Sequence, residues 1–176
     1  SYSKPVYLHN HRQHANLVTI ARVKSNRTFY HQFQPETEMD QSVGHPRWYG
    51  DRFKLSATHG RANPDETLIR WETSPQGKQY RVEIEAWHNM LMRGKRGVPM
   101  HQHPFTLVCI TRYDEDGNPA FKRPLWLVVM GDRRDELSLE QIYLVYQAGF
   151  DIEHFFRFGK QKLLLNAFQT AETKRE

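Results

Sequence analysis

A chain of 176 residues, 38% apolar and 26% charged with a mean hydropathy of -0.79, has the make-up of one globular domain or one domain with an insert, which excludes a fibrous or wholly disordered polypeptide. No stretch approaches the roughly 18 consecutive apolar residues of a membrane span, and Ser1 to Val6 lacks the apolar core of a signal peptide, so a cytoplasmic location with no membrane partner is expected. Lys and Arg outnumber Asp and Glu by 25 to 20, and the resulting +5 charge, with a pI near 9.4, suits a partner that carries phosphates.

Residues 1 to 15 show no clean period, and Asn16 then leads into Leu17 to Val23. That run is β-branched and apolar on both alternating sets, as in a strand buried on both faces within a sheet covered by helices. A turn at Lys24 to Arg27 precedes Thr28-Phe29-Tyr30. Residues 31 to 66 are rich in Pro, Gly, His, Asp and Arg and read as loops around one short strand near Arg52 to Leu55. Strands are predicted at Thr67 to Glu72, Gln79 to Trp87, Phe105 to Tyr113 and Leu125 to Met130. The second of these alternates well, with Tyr80, Val82, Ile84 and Ala86 on one side and Arg81, Glu83 and Glu85 on the other. Turn signals at Ser74 to Gly77 and Asp114 to Pro119 make the region antiparallel. The single cysteine, Cys109, lies in an apolar run and reads as a small buried hydrophobe.

The period changes at Ser138, which forms a capping box with Gln141, and neither proline nor a turn cluster interrupts Leu139 to Leu165. A long helix is predicted there. Gly149 within it costs about 1 kcal/mol against alanine and calls for a packing or contact reason. Tyr146, Glu153 and Lys160 are spaced by seven, and each such step returns to within about 20° of the same direction. A phenol, a carboxylate and an ammonium thus share one stripe, with Ile142, Val145, Ile152, Phe155, Phe156 and Leu163 beside it. On an arbitrary helix such charges are merely solvated.

The full pattern is more specific: Tyr146, two residues, Gly149, three residues, Glu153, six residues, Lys160. It resembles the Tyr-Arg-Glu-Lys signature of DDE transposases from bacterial insertion sequences. The phrase Gly149 to Phe158 is similar to the Phe-rich version in one branch of that group, where Gly can stand at the Arg position. Pro46 to Leu55 and Pro124 to Leu127 follow the order of that branch, so the resemblance covers nearly the whole chain. It implies an α/β, mixed α+β architecture: a partial RNase H-like core with an antiparallel β insertion and a long C-terminal helix. Residues 1–30 would belong to the core as a helix and its last strand, 31–130 to the insertion, and 131–176 to the core helix and tail.

The resemblance further implies three carboxylates holding two divalent metals, Mg2+ or Mn2+, that drive phosphodiester hydrolysis and strand transfer at transposon ends. Glu153 would be the third carboxylate and a metal ligand, and the partner would be transposon-end and target DNA. Tyr146 and Lys160 would hold the DNA end through a hydrogen bond and a point charge on phosphate, and Arg157 is a candidate replacement for the arginine absent at Gly149. A homodimer in the DNA complex and nucleoid association in a bacterial cytoplasm belong to the same expectation. The first two aspartates of the triad are expected on strands upstream of Ser1, so the chain alone is expected not to cleave DNA. The rival reading is a non-catalytic DNA-binding or regulatory remnant of a transposase.

Other residues are candidates for binding. Arg93-Gly94-Lys95-Arg96-Gly97 places three cations on a loop that can follow a phosphate backbone, with a solubilising loop as the equal alternative. Trp87, at the end of a strand beside it, is a candidate to stack on an unpaired or flipped base, and Trp48 is a second, although core packing is the default for either ring. His9, His11 and His14, and separately His101 and His103, whose rings would point the same way from a strand, show no thiolate or convergent third ligand and read as surface or loop histidines rather than a metal protein's ligands. Asp132 and Asp151 read as surface charges.

Overall fold

The computed structural model describes residues 4–11, 14–34, 47–57 and 61–149. They form a mixed α+β structure dominated by antiparallel sheet. Two compact units divide the chain, Ser1–Leu139 and Glu140–Glu176. Among the described residues no helix is long and apolar enough to cross a membrane.

The first unit opens with helix α1 (Pro5–His11), whose first residue is a proline, the position where a missing N–H costs nothing. Seven strands follow: β1 (Thr19–Val23), β2 (Thr28–Gln32), β3 (Tyr49–Lys54), β4 (Glu66–Thr73), β5 (Gln79–Met90), β6 (Phe105–Tyr113) and β7 (Leu125–Met130). Five make one sheet in the order β1-β7-β6-β5-β4, and β2 and β3 pair as a two-stranded sheet. All pairings are antiparallel. The alternation in β5 holds: Val82, Ile84 and Ala86 are buried, while Arg81, Glu83 and Glu85 are half-buried.

Two expectations change. Leu17 to Val23 is not a strand buried on both faces, because β1 lies at the edge of the sheet, paired with β7 alone, and its Arg22 is exposed. The region from residue 31 holds more strand than expected: β2 and β3 pair in register from Thr28 opposite Lys54 to Gln32 opposite Tyr49, with an irregularity at Tyr30 to Gln32.

One face of the five-stranded sheet buries Trp87, Leu107, Cys109, Trp126 and Val128 in a cluster with Leu8 of α1 and with Phe29, Phe53 and Leu55 of the β2–β3 hairpin. Aromatic edges organise it. Phe53 meets Trp87 edge-on at 5.0 Å and Trp126 at 6.1 Å, and Phe29 meets Phe105 at 5.0 Å. The Arg61 guanidinium lies 5.0 Å over the Trp126 ring and donates to the Leu55 carbonyl at 3.1 Å. The opposite face, with Val82, Ile84, Val108, Leu127 and Val129, is buried as well.

Cys109 is the small buried hydrophobe that the sequence predicts, at 1% exposure. Burial, reinforced by the nearby Glu85 charge, pushes its thiol from 9.0 up to about 12. Because the folded value is raised, this contribution to stability is complete below about pH 9 and is lost as pH climbs toward 12. Stability should therefore fall by about 1.4 kcal/mol per pH unit more steeply in the natural protein than in Cys109→Ala across that window. Urea melts at several alkaline pH values measure the two slopes, and equal slopes would contradict the buried thiol.

In the second unit the described residues, 140–149, are helical, and the helix begins at residue 139 immediately after Ser138, as the capping box predicts. Gln147 donates to the Tyr143 hydroxyl at 2.7 Å one turn back. A side chain at Gly149 would meet nothing within 4 Å among the described residues, so packing gives no account of that glycine. The predicted continuation to Leu165 lies outside the described residues.

Candidate nucleic-acid interface

The site begins with an irregularity in β5. A bulge shifts its register on β6 between Trp87 and Met90, and Asn89 inside it takes a φ of 53°, a left-handed conformation that asparagine tolerates better than most residues. Beyond the bulge the chain turns to β2: Leu91 N–H donates to the Tyr30 carbonyl at 2.7 Å, and Tyr30 N–H returns the bond at 2.9 Å. This delivers Arg93 to Gly97 to the surface beside the β2–β3 hairpin.

The loop is a built turn rather than a slack one. Val98 N–H donates to the Lys95 carbonyl at 2.9 Å, with Gly97 at a φ of +79° in the corner. Gly94 sits so close to the returning chain that a Cβ there would run into the Val98 carbonyl oxygen and approach the Met100 nitrogen to 3.1 Å. Arg93, Lys95 and Arg96 are exposed.

Aromatic rings flank these cations. The Arg93 guanidinium lies 5.0 Å over Tyr30 and 5.7 Å from the Tyr49 centroid, and the two tyrosines meet edge-on at 5.2 Å. The Tyr49 hydroxyl donates to the Met92 carbonyl at 3.4 Å, and burial holds its pKa above the ordinary value. Trp48 stacks on His101 with centroids 3.7 Å apart and planes within 6°. Arg47 lies 4.6 Å over Phe33.

A cleft of about 610 Å³ is lined by Tyr30, Arg47, Trp48, Tyr49, Arg52 and Arg93. A second, of about 560 Å³, continues past Trp48 and Tyr49 to Lys95 and His101. Among the described residues no carboxylate lines either one. Cations that neutralise phosphates, beside flat rings that can take bases or sugars, are what a nucleic-acid strand requires.

The residues anticipated from the sequence are placed unevenly. Arg93 and Lys95 line these clefts and Arg96 lies beside them on the turn. Trp87 has no face open to a base: it is 2% exposed, its indole N–H donates to the Ala62 carbonyl at 2.9 Å, and its ring packs on Phe53 and on Trp126. Trp87 is thus a core residue and not the stacking platform expected for it. Tyr146 lies half-buried on the helix of the second unit, while Glu153, Arg157 and Lys160 fall outside the described residues.

His101 lies in, and His103 just after, a 3-10 turn, Met100–Gln102. His103 Nε2 lies 2.9 Å from His9 Nδ1, yet no group of three potential metal ligands gathers among the described residues. Sequence reasoning missed Tyr30, Arg47, Tyr49 and Arg52. The β-prone run Thr28-Phe29-Tyr30 after the Lys24 to Arg27 turn is the sequence signal for the first, and the hairpin register opposes Tyr30 to Arg52. Comparison of the chain with protein-family models, curated proteins and solved structures gave no match.

Proposed function

We propose that this chain binds DNA through the cationic, ring-lined clefts beside the Arg93 to Gly97 loop, as the later portion of a DDE transposase with a partial RNase H-like core and a long C-terminal helix. The observation that carries DNA binding is that Arg47, Arg52 and Arg93 line one ring-walled cleft and Lys95 the cleft next to it, with no carboxylate lining either among the described residues. The transposase reading rests on the spacing of Tyr146, Glu153 and Lys160 and on the phrases around them. In this reading Tyr146, Arg157 and Lys160 hold the transposon end, Glu153 is the third carboxylate, and the β region grips the adjoining duplex.

Two-metal chemistry needs several clustered oxygen ligands. Among the described residues no three His, Cys, Asp or Glu side chains gather, and Glu153 lies outside them. In this reading the part of the described residues is to bind and orient DNA, and the metal pair would be held by Glu153 together with the two aspartates expected upstream.

Fluorescence anisotropy with a labelled duplex over a range of salt concentrations tests this. Each phosphate contact contributes about 0.9 to the slope of log affinity against log salt. Arg96→Ala and Lys160→Ala should each weaken binding and reduce that slope by about one. An unchanged slope in both variants removes the DNA-facing assignment, and a natural chain with no affinity for duplex at about 50 mM salt overturns the proposal as a whole.

A further inference from the structure

At the far edge of the five-stranded sheet, β4 carries a surface that the DNA contacts do not use. It pairs with β5 over eight residues without a register shift, and among the described residues no strand covers its outer side. The Ser74 N–H donates to the Lys78 carbonyl at 2.8 Å. Hydrogen-bonded pairs alternate along an antiparallel ladder, so counting from that pair turns the main-chain groups of Leu68, Arg70 and Glu72 to β5 and those of Ile69, Trp71 and Thr73 outward. The side chains of Ile69 and Trp71 are exposed as well, at 52% and 64%. Edge strands are commonly blunted by a proline or a bulge, and β4 has neither.

We propose that β4 is a self-association edge, at which a second copy of this chain adds its own β4 antiparallel across a two-fold axis through Trp71. The register follows from charge. Centring the pair on Trp71 sets Arg70 opposite Glu72 of the partner subunit and Glu72 opposite Arg70 of the partner subunit, with Ile69 and Thr73 facing each other twice. Moving the centre by one residue to Arg70 would set two arginines against each other, which is unfavourable. Glu72 is already fixed beside this edge by Arg112 and by Arg70, the latter at 3.5 Å, so its carboxylate loses little freedom when the second copy arrives. The indole at the axis adds a large flat apolar area where an isologous interface most needs it. The partner is the chain itself, and DNA is not required.

Analytical ultracentrifugation of the full chain without DNA, from micromolar to hundreds of micromolar, should show the mass rising from 21.0 kDa toward twice that value. Trp71→Lys, which puts two ammonium groups at the axis, should remain monomeric throughout with an unchanged circular dichroism spectrum. A double Ile69→Cys/Thr73→Cys variant tests the register. Four residues along a strand span roughly 13 Å, beyond the reach of a disulfide, so a bond can form only between copies. Cys109, at 1% exposure, does not compete. A covalent dimer on a non-reducing gel supports the Trp71-centred pair. A chain that stays monomeric at every concentration, a dimer that Trp71→Lys leaves intact, or the absence of the cross-link overturns it.

Discussion

Trp126→Ala should lower the unfolding free energy by about 3 to 5 kcal/mol, the range for removing a large enclosed ring. Trp126 has 0% exposure and lies on β7, between β1 and β6 in the sheet, where its ring contacts Trp87 at 5.8 Å and Phe53 of the hairpin at 6.1 Å, with Arg61 above it. Its loss opens a void shared by the sheet and the hairpin whose Tyr30, Tyr49 and Arg52 line the proposed DNA-binding cleft. Neighbours drawn from strands on both sides cannot collapse into such a space without breaking the ladder. A urea melt should show the midpoint falling by roughly 2 M with the slope preserved, given slopes of about 1–3 kcal/mol per M for small domains.

The conservative variant separates the ring from its polar atom. Among the described residues the Trp126 indole nitrogen has no hydrogen-bond partner, so Trp126→Phe gives up volume but also relieves a buried, unsatisfied N–H. It should cost less than half as much as the alanine change. At Trp87 the balance reverses, because its N–H serves the Ala62 carbonyl and phenylalanine would orphan that oxygen. A loss below about 1 kcal/mol for Trp126→Ala would contradict the enclosure described for this ring.

The sequence was most informative where local pattern and tertiary environment agree. β5, β6 and β7 could be read because alternation or an unbroken apolar run coincides with burial, and because turn residues mark their ends. Trp87 shows where this fails. By alternation it falls on the side of Arg81, Glu83 and Glu85, which are half-buried, yet the hairpin and α1 cover that face at its own end of the strand. Nothing within β5 announces that a face changes from half-exposed to core along its length, since the cover comes from residues far away in sequence.

The groove divides in the same way. Arg93, Lys95 and Arg96 announce themselves as a charge cluster, whereas Tyr30, Tyr49 and Arg52 join them only through the β2–β3 register and the bulge that redirects β5. The seven-residue spacing of Tyr146, Glu153 and Lys160 is fully visible as a period in the sequence. What such a stripe faces is set by long-range packing that no period encodes.

Gly94→Ala is expected to damage binding more than any single cation deletion in the loop. A methyl group at residue 94 collides with the Val98 carbonyl, and the obstacle is backbone, so no side-chain rotation relieves it. The turn closed by Lys95 and Val98 must open, which separates Arg93 from Tyr30 and Lys95 from the Trp48 side of the cleft. Overpacking of this kind costs about 1–3 kcal/mol of stability. The functional cost is larger because several cations move together: the salt slope should fall by about two and affinity by roughly tenfold or more. Gly97→Ala is the matched control, since it meets open space and carries only the strain of a φ of +79°, about 1–2 kcal/mol. It should leave the slope within about half a unit of the natural chain. Thermal melts and salt-dependent anisotropy on both variants decide the matter. If Gly94→Ala destabilises the fold while DNA affinity and slope stay unchanged, the loop's placement does not matter to DNA and the groove beside it is not the interface.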